Sequence, residues 1–271
     1  DIVIGVGGFA SFPMLNAAQS MGIPTLIQEQ NSFAGKSNKI LAKKAYKVCV
    51  AYEGMEAFFP SSKIVMTGNP VRESITGSQV TKEDSLKFFG LSNNKKTLLV
   101  VGGSLGAKSI NEAIAAQVEK LVQQDVQILW QTGKLFKDTS MQLMQRYPNH
   151  VFVHEFIYEM DKAYAAADII VSRAGALAIA EICVVAQPTI FVPYPFAAED
   201  HQTSNAMALV KHNAAEIVKD KEVNEQLVNA ILNLIHNEDK QQIMKAQLQK
   251  LAVKDAAERI FNQVKQIINT K

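Results

Sequence analysis

Residues 100–114 read VVGGSLGAKSINEAI, an apolar run that breaks on glycines and restarts with the composition of a helix. A turn placed between a strand and a helix leaves backbone N–H groups unpaired. The helix adds roughly half a positive charge at its N-terminus. Gly102, Gly103 and Gly106 allow the backbone to come close to an anion, and Ser104 adds a hydroxyl donor. A diphosphate fits there; a tight turn with no ligand is the alternative. Two owners of such a phosphate can be tested. A nicotinamide dinucleotide needs a carboxylate about 20 residues on, at the end of the next strand. Here the next apolar run, VQILW (126–130), is followed by Gln131-Thr132-Gly133. An ATP-type loop needs Gly-Lys-Ser/Thr at a fixed spacing, which the segment lacks.

A carboxylate does occur after another glycine turn. Residues 168–181, DIIVSRAGALAIAE, read as strand, turn and helix, with Glu181 about two turns into an otherwise apolar helix. Either Glu181 faces solvent and Arg173 caps the turn, or Glu181 accepts the ribose hydroxyls of a nucleotide whose diphosphate lies at 102–107. In the second case one nucleotide bridges two strand ends. No Asp-x-Asp pair occurs in the chain, so the usual carboxylate platform for a metal-bridged diphosphate is missing. His154, His201 and His212 have no zinc-ligand spacing, and no metal is expected.

These turns need sheets to hold them. Apolar runs fall at 2–6, 25–28, 47–51, 63–67, 97–101, 126–130, 151–153, 168–171, 188–192 and 215–218, and most are continuous rather than alternating. That is the pattern of parallel strands covered on both faces. Helical candidates lie between them, including 34–44, 108–123, 176–185 and 200–211, and the tail 223–269 reads as helical. The expected fold class is α/β, two doubly wound Rossmann-like domains with a cleft between them, the first incomplete. The division follows GNPVR (68–72), ahead of a polar stretch at 76–84 read as a loop.

The bulk numbers suit this class. The chain has 271 residues, a prior for two domains, and a net charge of +2, too small to argue for nucleic acid. Cys49 and Cys183 each lie in an apolar run and read as buried reduced thiols. No apolar run reaches the ~18 residues of a membrane span, and no signal peptide is visible. The first residue is not Met and DIVIGVGG already enters a glycine turn, so a chain shortened at its N-terminus is expected, with part of its function upstream.

Seven segments in series resemble the MurG family of UDP-N-acetylglucosamine transferases. GGSLGA (102–107), EFIYEM (155–160), SRAGALAIAE (172–181) and DHQTSNA (200–206) look like the donor-binding half of that family. GVGGFASFP (5–13), EQNSFAGKSNK (29–39) and GNPVR (68–72) look like its acceptor-side motifs. The resemblance implies a GT-B architecture: residues 1–72 as a partial acceptor and membrane-side domain, residues 73–255 as the donor domain, and a helix at about 256–271 packing back on the first. It implies no cofactor and no metal. It implies donor contacts from Asn31, Arg72, Ser104, Ile157, the run Ala176, Leu177, Ala178, Ile179, Ala180 and Glu181, and Gln202.

In those roles Ser104 meets the phosphates, the Ile157 backbone the uracil, Glu181 the ribose and Gln202 the sugar hydroxyls, while Arg72 reaches the diphosphate from the hinge. The implied reaction is inverting transfer of N-acetylglucosamine to the muramic acid 4-hydroxyl of lipid I, an undecaprenyl-linked acceptor, giving lipid II in peptidoglycan synthesis. The enzyme would work peripherally at the cytoplasmic face of the bacterial membrane. The general base is not identified: Glu29 is a local candidate or a structural hydrogen-bonding group, and Gln28 replaces the histidine common in the family. Lys36, Lys39, Lys43, Lys44 and Lys47 form either a solvated face or an attraction for anionic lipid. A nucleotide-sugar epimerase, a glycolipid synthase and a binding module without activity share the architecture and remain alternatives.

Overall fold

A continuous apolar run can be buried only if both faces of its sheet are covered, and ten such runs here become ten parallel strands. The structure is a computed structural model that describes residues 1–269. In the first sheet β1 (Val3–Gly5), β2 (Thr25–Glu29), β3 (Lys47–Val50) and β4 (Ile64–Met66) lie side by side in chain order. Helices α1 (Ser11–Ser20) and α2 (Lys36–Leu41) bring Leu15 and Leu41 onto Ile27, Val48 and Val50. Helix α2 is shorter than the 34–44 stretch because Gly35, with φ −66° and ψ 150°, is extended and acts as its N-cap.

Two short helices lead to the second sheet, α3 (Glu73–Thr76) and α4 (Lys82–Phe89). The polar stretch 76–84 is therefore not all loop. Thr81 accepts a hydrogen bond from the Asp84 backbone N–H at 3.1 Å and starts α4. The second sheet has the order β10-β9-β8-β5-β6-β7. It contains β5 (Lys96–Val101), β6 (Val126–Gln131), β7 (Val151–His154), β8 (Ile169–Ser172), β9 (Thr189–Phe191) and β10 (Glu216–Ile217). Between them run α5 (Lys108–Gln123), α6 (Lys137–Arg146), α7 (Met160–Ala166), α8 (Ala176–Val185) and α9 (His201–Val210). Alternate residues of one strand serve opposite cores. Leu98 and Val100 pack with Ile110, Ile114 and Leu121 of α5, while Leu99 packs with Tyr164 of α7 and Ile182 of α8.

The tail is helical but broken into α10 (Val223–Ile235), α11 (Glu238–Leu251) and α12 (Ala256–Asn269). Asn237 caps α11 by accepting from the Lys240 N–H at 2.9 Å. Helix α12 lays Ile260, Val264 and Ile267 against Leu26 and Cys49 of the first sheet. The chain thus crosses between the two sheets twice, and the crossings touch. Gly68 has φ +76°, and a Cβ there would lie 2.8 Å from Cβ of Val253.

Candidate active site

The second sheet reverses its direction of growth between β8 and β5. From β5 the chain adds β6 and β7 on one side, then returns to place β8, β9 and β10 on the other. Such a reversal leaves a crevice beyond the strand ends, the general ligand position of open α/β sheets. Both turns singled out in the sequence, 102–107 after β5 and 173–175 after β8, open into it.

The three glycines of the first turn do different jobs. A Cβ on Gly102 would meet the Ala107 nitrogen at 2.4 Å, and one on Gly106 would meet the Thr132 carbonyl oxygen at 2.2 Å. Both positions are glycine because protein backbone, not a ligand, comes close. Only Gly103, at φ +79° with nothing within 4 Å, keeps open space for an anion. Ser104 is exposed at the tip. Ala107 and Gly175, the N-caps of α5 and α8, offer no side-chain acceptor. Two helix N-termini on neighbouring strands therefore present first-turn N–H groups without a side-chain cap.

Gln131 occupies the place where a dinucleotide site would carry its carboxylate. Its Nε2 donates to the Gly103 carbonyl at 3.0 Å, and its Oε1 accepts from the Ile157 N–H at 2.9 Å. The amide ties the phosphate-type turn to the 155–160 loop. Ile157 is 2% exposed and its N–H is already used, so only its carbonyl is left to meet a base.

Along α8 the helical period separates the run 176–181. Leu177 is exposed, whereas Ile179 is buried in the core. Glu181 does not face solvent. It is 8% exposed, and three donors converge on it. Arg72 donates from Nε at 2.9 Å and Nη2 at 2.8 Å to Oε1, and the Tyr164 hydroxyl donates to Oε2 at 2.9 Å. Arg72 thus reaches across from the hinge to the carboxylate. Arg173 does more than cap its turn: it donates to Val192 O, Pro193 O, Asp220 Oδ1 and Ser109 Oγ, stapling the ends of β8 and β9 to α5.

A second bridge crosses the cleft. Asn205 of α9 is fully buried, accepts from the Ser32 N–H and Oγ–H at 2.8 and 3.0 Å, and donates to Asn31 Oδ1 at 3.0 Å. Asn31 is therefore held from both sides, since its Nδ2 donates to Glu29 at 3.3 Å. The Glu29 carboxylate accepts from Asn31 N and Nδ2, Gly35 N and Asn38 Nδ2, and so organises the 29–38 loop. Gln28 donates to Asn69, which donates to the Gln30 carbonyl, locking this loop to the GNPVR turn.

Gln202 uses Oε1 to accept from both Ala174 N at 3.2 Å and Tyr194 N at 2.9 Å, so its Nε2 is the group left for a sugar. Just before it, Glu199 and Asp200 both adopt φ above +50°, a strained pair at the mouth of the cleft. His154 packs edge-on to Phe89, and burial, partly offset by Glu159, holds its pKa below the ordinary histidine value. Tyr164, Asn205 and the clamp function of Gln131 had not been recognised from sequence.

Two parallel sheets joined by a double crossing, with the crevice on the second, define the GT-B architecture. Residues 97–260 match the Glycosyltransferase family 28 C-terminal domain, and residues 1–50 match the family's N-terminal domain. A Parabacteroides distasonis protein named UDP-N-acetylglucosamine–N-acetylmuramyl-(pentapeptide) pyrophosphoryl-undecaprenol N-acetylglucosamine transferase is 49% identical over 272 residues, covering 100% of this chain and 74% of the relative. The crystal structure of Acinetobacter baumannii MurG superposes with a TM-score of 0.80 at 31% identity, covering 98% of this chain and 73% of that one. The chain belongs to the MurG family. A UDP-GlcNAc 2-epimerase from Neisseria meningitidis, solved with UDP-GlcNAc bound, shares the fold at a TM-score of 0.66 and 15% identity, covering 98% of this chain and 75% of that one.

Proposed function

We propose that this protein transfers N-acetylglucosamine from UDP-N-acetylglucosamine to the muramic acid 4-hydroxyl of lipid I, forming lipid II for peptidoglycan. The acceptor oxygen attacks the anomeric carbon, the bond to the β-phosphate breaks, UDP leaves, and the acceptor proton passes to a base. Inversion gives a β-1,4 link. The chain's own contribution is electrostatic. Negative charge grows on the departing UDP, where the uncapped N-termini of α5 and α8 supply fixed partial positive charge without reorganisation. This arrangement of two helix ends beside the buried carboxylate Glu181 is the observation that carries the reading.

Within it, Ser104 and the open Gly103 meet the diphosphate, the Ile157 carbonyl meets the uracil, Glu181 accepts the ribose and Gln202 donates to the sugar. Arg72 and Asn31 contribute from the first domain. We assign residues 1–72 with α12 to the acceptor side and 73–255 to the donor side. Among the described residues no helix is long and apolar enough to cross a membrane. The lipid-linked acceptor places the proposed work at the cytoplasmic membrane face, where exposed Lys43 and Lys44 would meet anionic headgroups.

Thermal unfolding with UDP-N-acetylglucosamine, UDP-galactose and NAD tests donor choice, because a ligand bound only by the folded state raises Tm. A shift with UDP-N-acetylglucosamine alone supports the reading, and a shift with NAD alone removes it. Glu181→Ala should weaken UDP binding by ~1–3 kcal/mol, the cost of a lost hydrogen bond to a charged group. An unchanged Kd would strip Glu181 of its ribose role.

A further inference from the structure

Glu181 is crowded before any ligand arrives. Three donors already point at its two oxygens, two from Arg72 at Oε1 and one from Tyr164 at Oε2. A carboxylate has about four lone-pair positions. A ribose diol brings two more donors, so both can be accepted only if one of the present three withdraws.

The two donor residues differ in what withdrawal costs. The Arg72 side chain is 51% exposed and extends from the hinge segment, so its guanidinium can exchange Glu181 for water. Tyr164 is 3% exposed, with its ring packed in the core of α7 and the second sheet. Turning its hydroxyl away from Glu181 would leave a buried donor unsatisfied, which is expensive. Burial, and then the Glu181 charge, holds the phenol well above its ordinary pKa, so the hydroxyl keeps its proton and remains a donor.

We propose that Tyr164 is the positioning residue of the donor site: it holds Oε2 of Glu181 and so keeps the carboxylate aimed at the crevice while Arg72 at Oε1 is exchanged for the ribose. This rests on the reading of Glu181 as the ribose acceptor. Two properties follow. Tyr164 acts only through ribose hydroxyls, although it touches no part of the donor. Arg72 competes with the ribose, and because it extends from the hinge, donor entry releases one of the contacts that join the two domains.

The test compares UDP with 2′,3′-dideoxy-UDP by calorimetry on the parent protein, Tyr164→Phe, Arg72→Ala and Glu181→Ala. Tyr164→Phe keeps the ring and should weaken UDP about tenfold, the scale of one hydrogen bond to a charged group, while leaving dideoxy-UDP unchanged. In turnover the same variant should raise KM for the donor and leave kcat within about twofold. Arg72→Ala should widen the preference for UDP over dideoxy-UDP, since the competitor is gone; the ratio cancels any contact Arg72 makes to phosphate. Equal weakening of both ligands by Tyr164→Phe would reduce Tyr164 to a packing residue and overturn the proposal. So would no weakening of either ligand while Glu181→Ala weakens UDP alone. A narrower UDP preference in Arg72→Ala would refute the exchange, whether or not the Tyr164 variant folds. If Glu181→Ala weakens both ligands alike, the ribose reading itself fails, and the proposal with it.

Discussion

Gly106→Ala should disable the donor turn with little damage elsewhere. Gly106 sits at φ +81°, where an alanine costs about 1–2 kcal/mol in backbone strain alone. Its Cβ would also stand 2.2 Å from the Thr132 carbonyl oxygen. The approach is already close, because Gly133 faces Gly106 so tightly that a Cβ of its own would lie 2.4 Å from the Gly106 nitrogen. The Thr132 carbonyl is further held by Asn111 Nδ2 at 2.8 Å, and Asn111 in turn accepts from Trp130 at 3.0 Å. The exposed turn must therefore move, at a combined cost of about 3 kcal/mol when overpacking is added to strain. A turn displaced in this way no longer aims its N–H groups at a diphosphate, and UDP affinity should fall at least about tenfold. Gly103→Ala is the control for stability only: it has the same sign of φ but no protein atom within 4 Å, so it should lower Tm less, while its Cβ enters the space assigned to the anion. Calorimetry with UDP and thermal unfolding of both variants measure the two effects. If Gly106→Ala bound UDP within twofold of the parent at an unchanged Tm, the reasoning about this turn would be wrong.

Other consequences can be measured more simply. Asn205→Ala removes three hydrogen bonds across the cleft, to Ser32 N, Ser32 Oγ and Asn31 Oδ1, and should lower stability by about 2–4 kcal/mol in urea unfolding; an unmoved midpoint would deny the bridge any role. His154 has a folded pKa below its unfolded one, so below about pH 6.5 the unfolded chain takes up a proton that the folded chain resists. Stability should therefore fall as pH drops from 7.5 to 5.5, and His154→Gln should flatten that fall; an equal slope in the variant would remove His154 as its source. Burial pushes the Cys49 thiol to about 11 and the Cys183 thiol to about 12, so neither should react with a thiol reagent at pH 8 until the protein is unfolded. Rapid labelling of the native protein would contradict their placement in the core.

The sheets were legible in the sequence for a plain reason. Parallel strands are buried on both faces, and runs such as TLLVV and VQILW declare this without any partner being known. Helices α5 and α8 were legible to the residue because glycine turns start them. Helix α6 was not singled out: KDTSMQLMQR fully buries only Ser140, and Leu143 and Met144 are only partly buried against the core. In the site, Glu181 was legible as a lone carboxylate on an apolar helix. Tyr164 was not, because in an apolar helix a tyrosine reads as core, and its partner lies 17 residues away on another element. Asn205 lies inside a segment already noted, yet its bond to Asn31 spans 174 residues, a distance over which spacing says nothing. Glu29 reads from sequence as either a base or a structural group, and the four donors around it, drawn from residues 31, 35 and 38, could not be foreseen from spacing.

The most direct measurement is of products. The protein is incubated with UDP-N-acetylglucosamine and a lipid I analogue, and the mixture is resolved by mass spectrometry and NMR. The account predicts one UDP released per disaccharide formed, a β-1,4 linkage, and no change to the donor when the acceptor is left out. Conversion of the donor to another UDP-sugar in the absence of acceptor would contradict it, and would assign the crevice to an epimerase on the same fold.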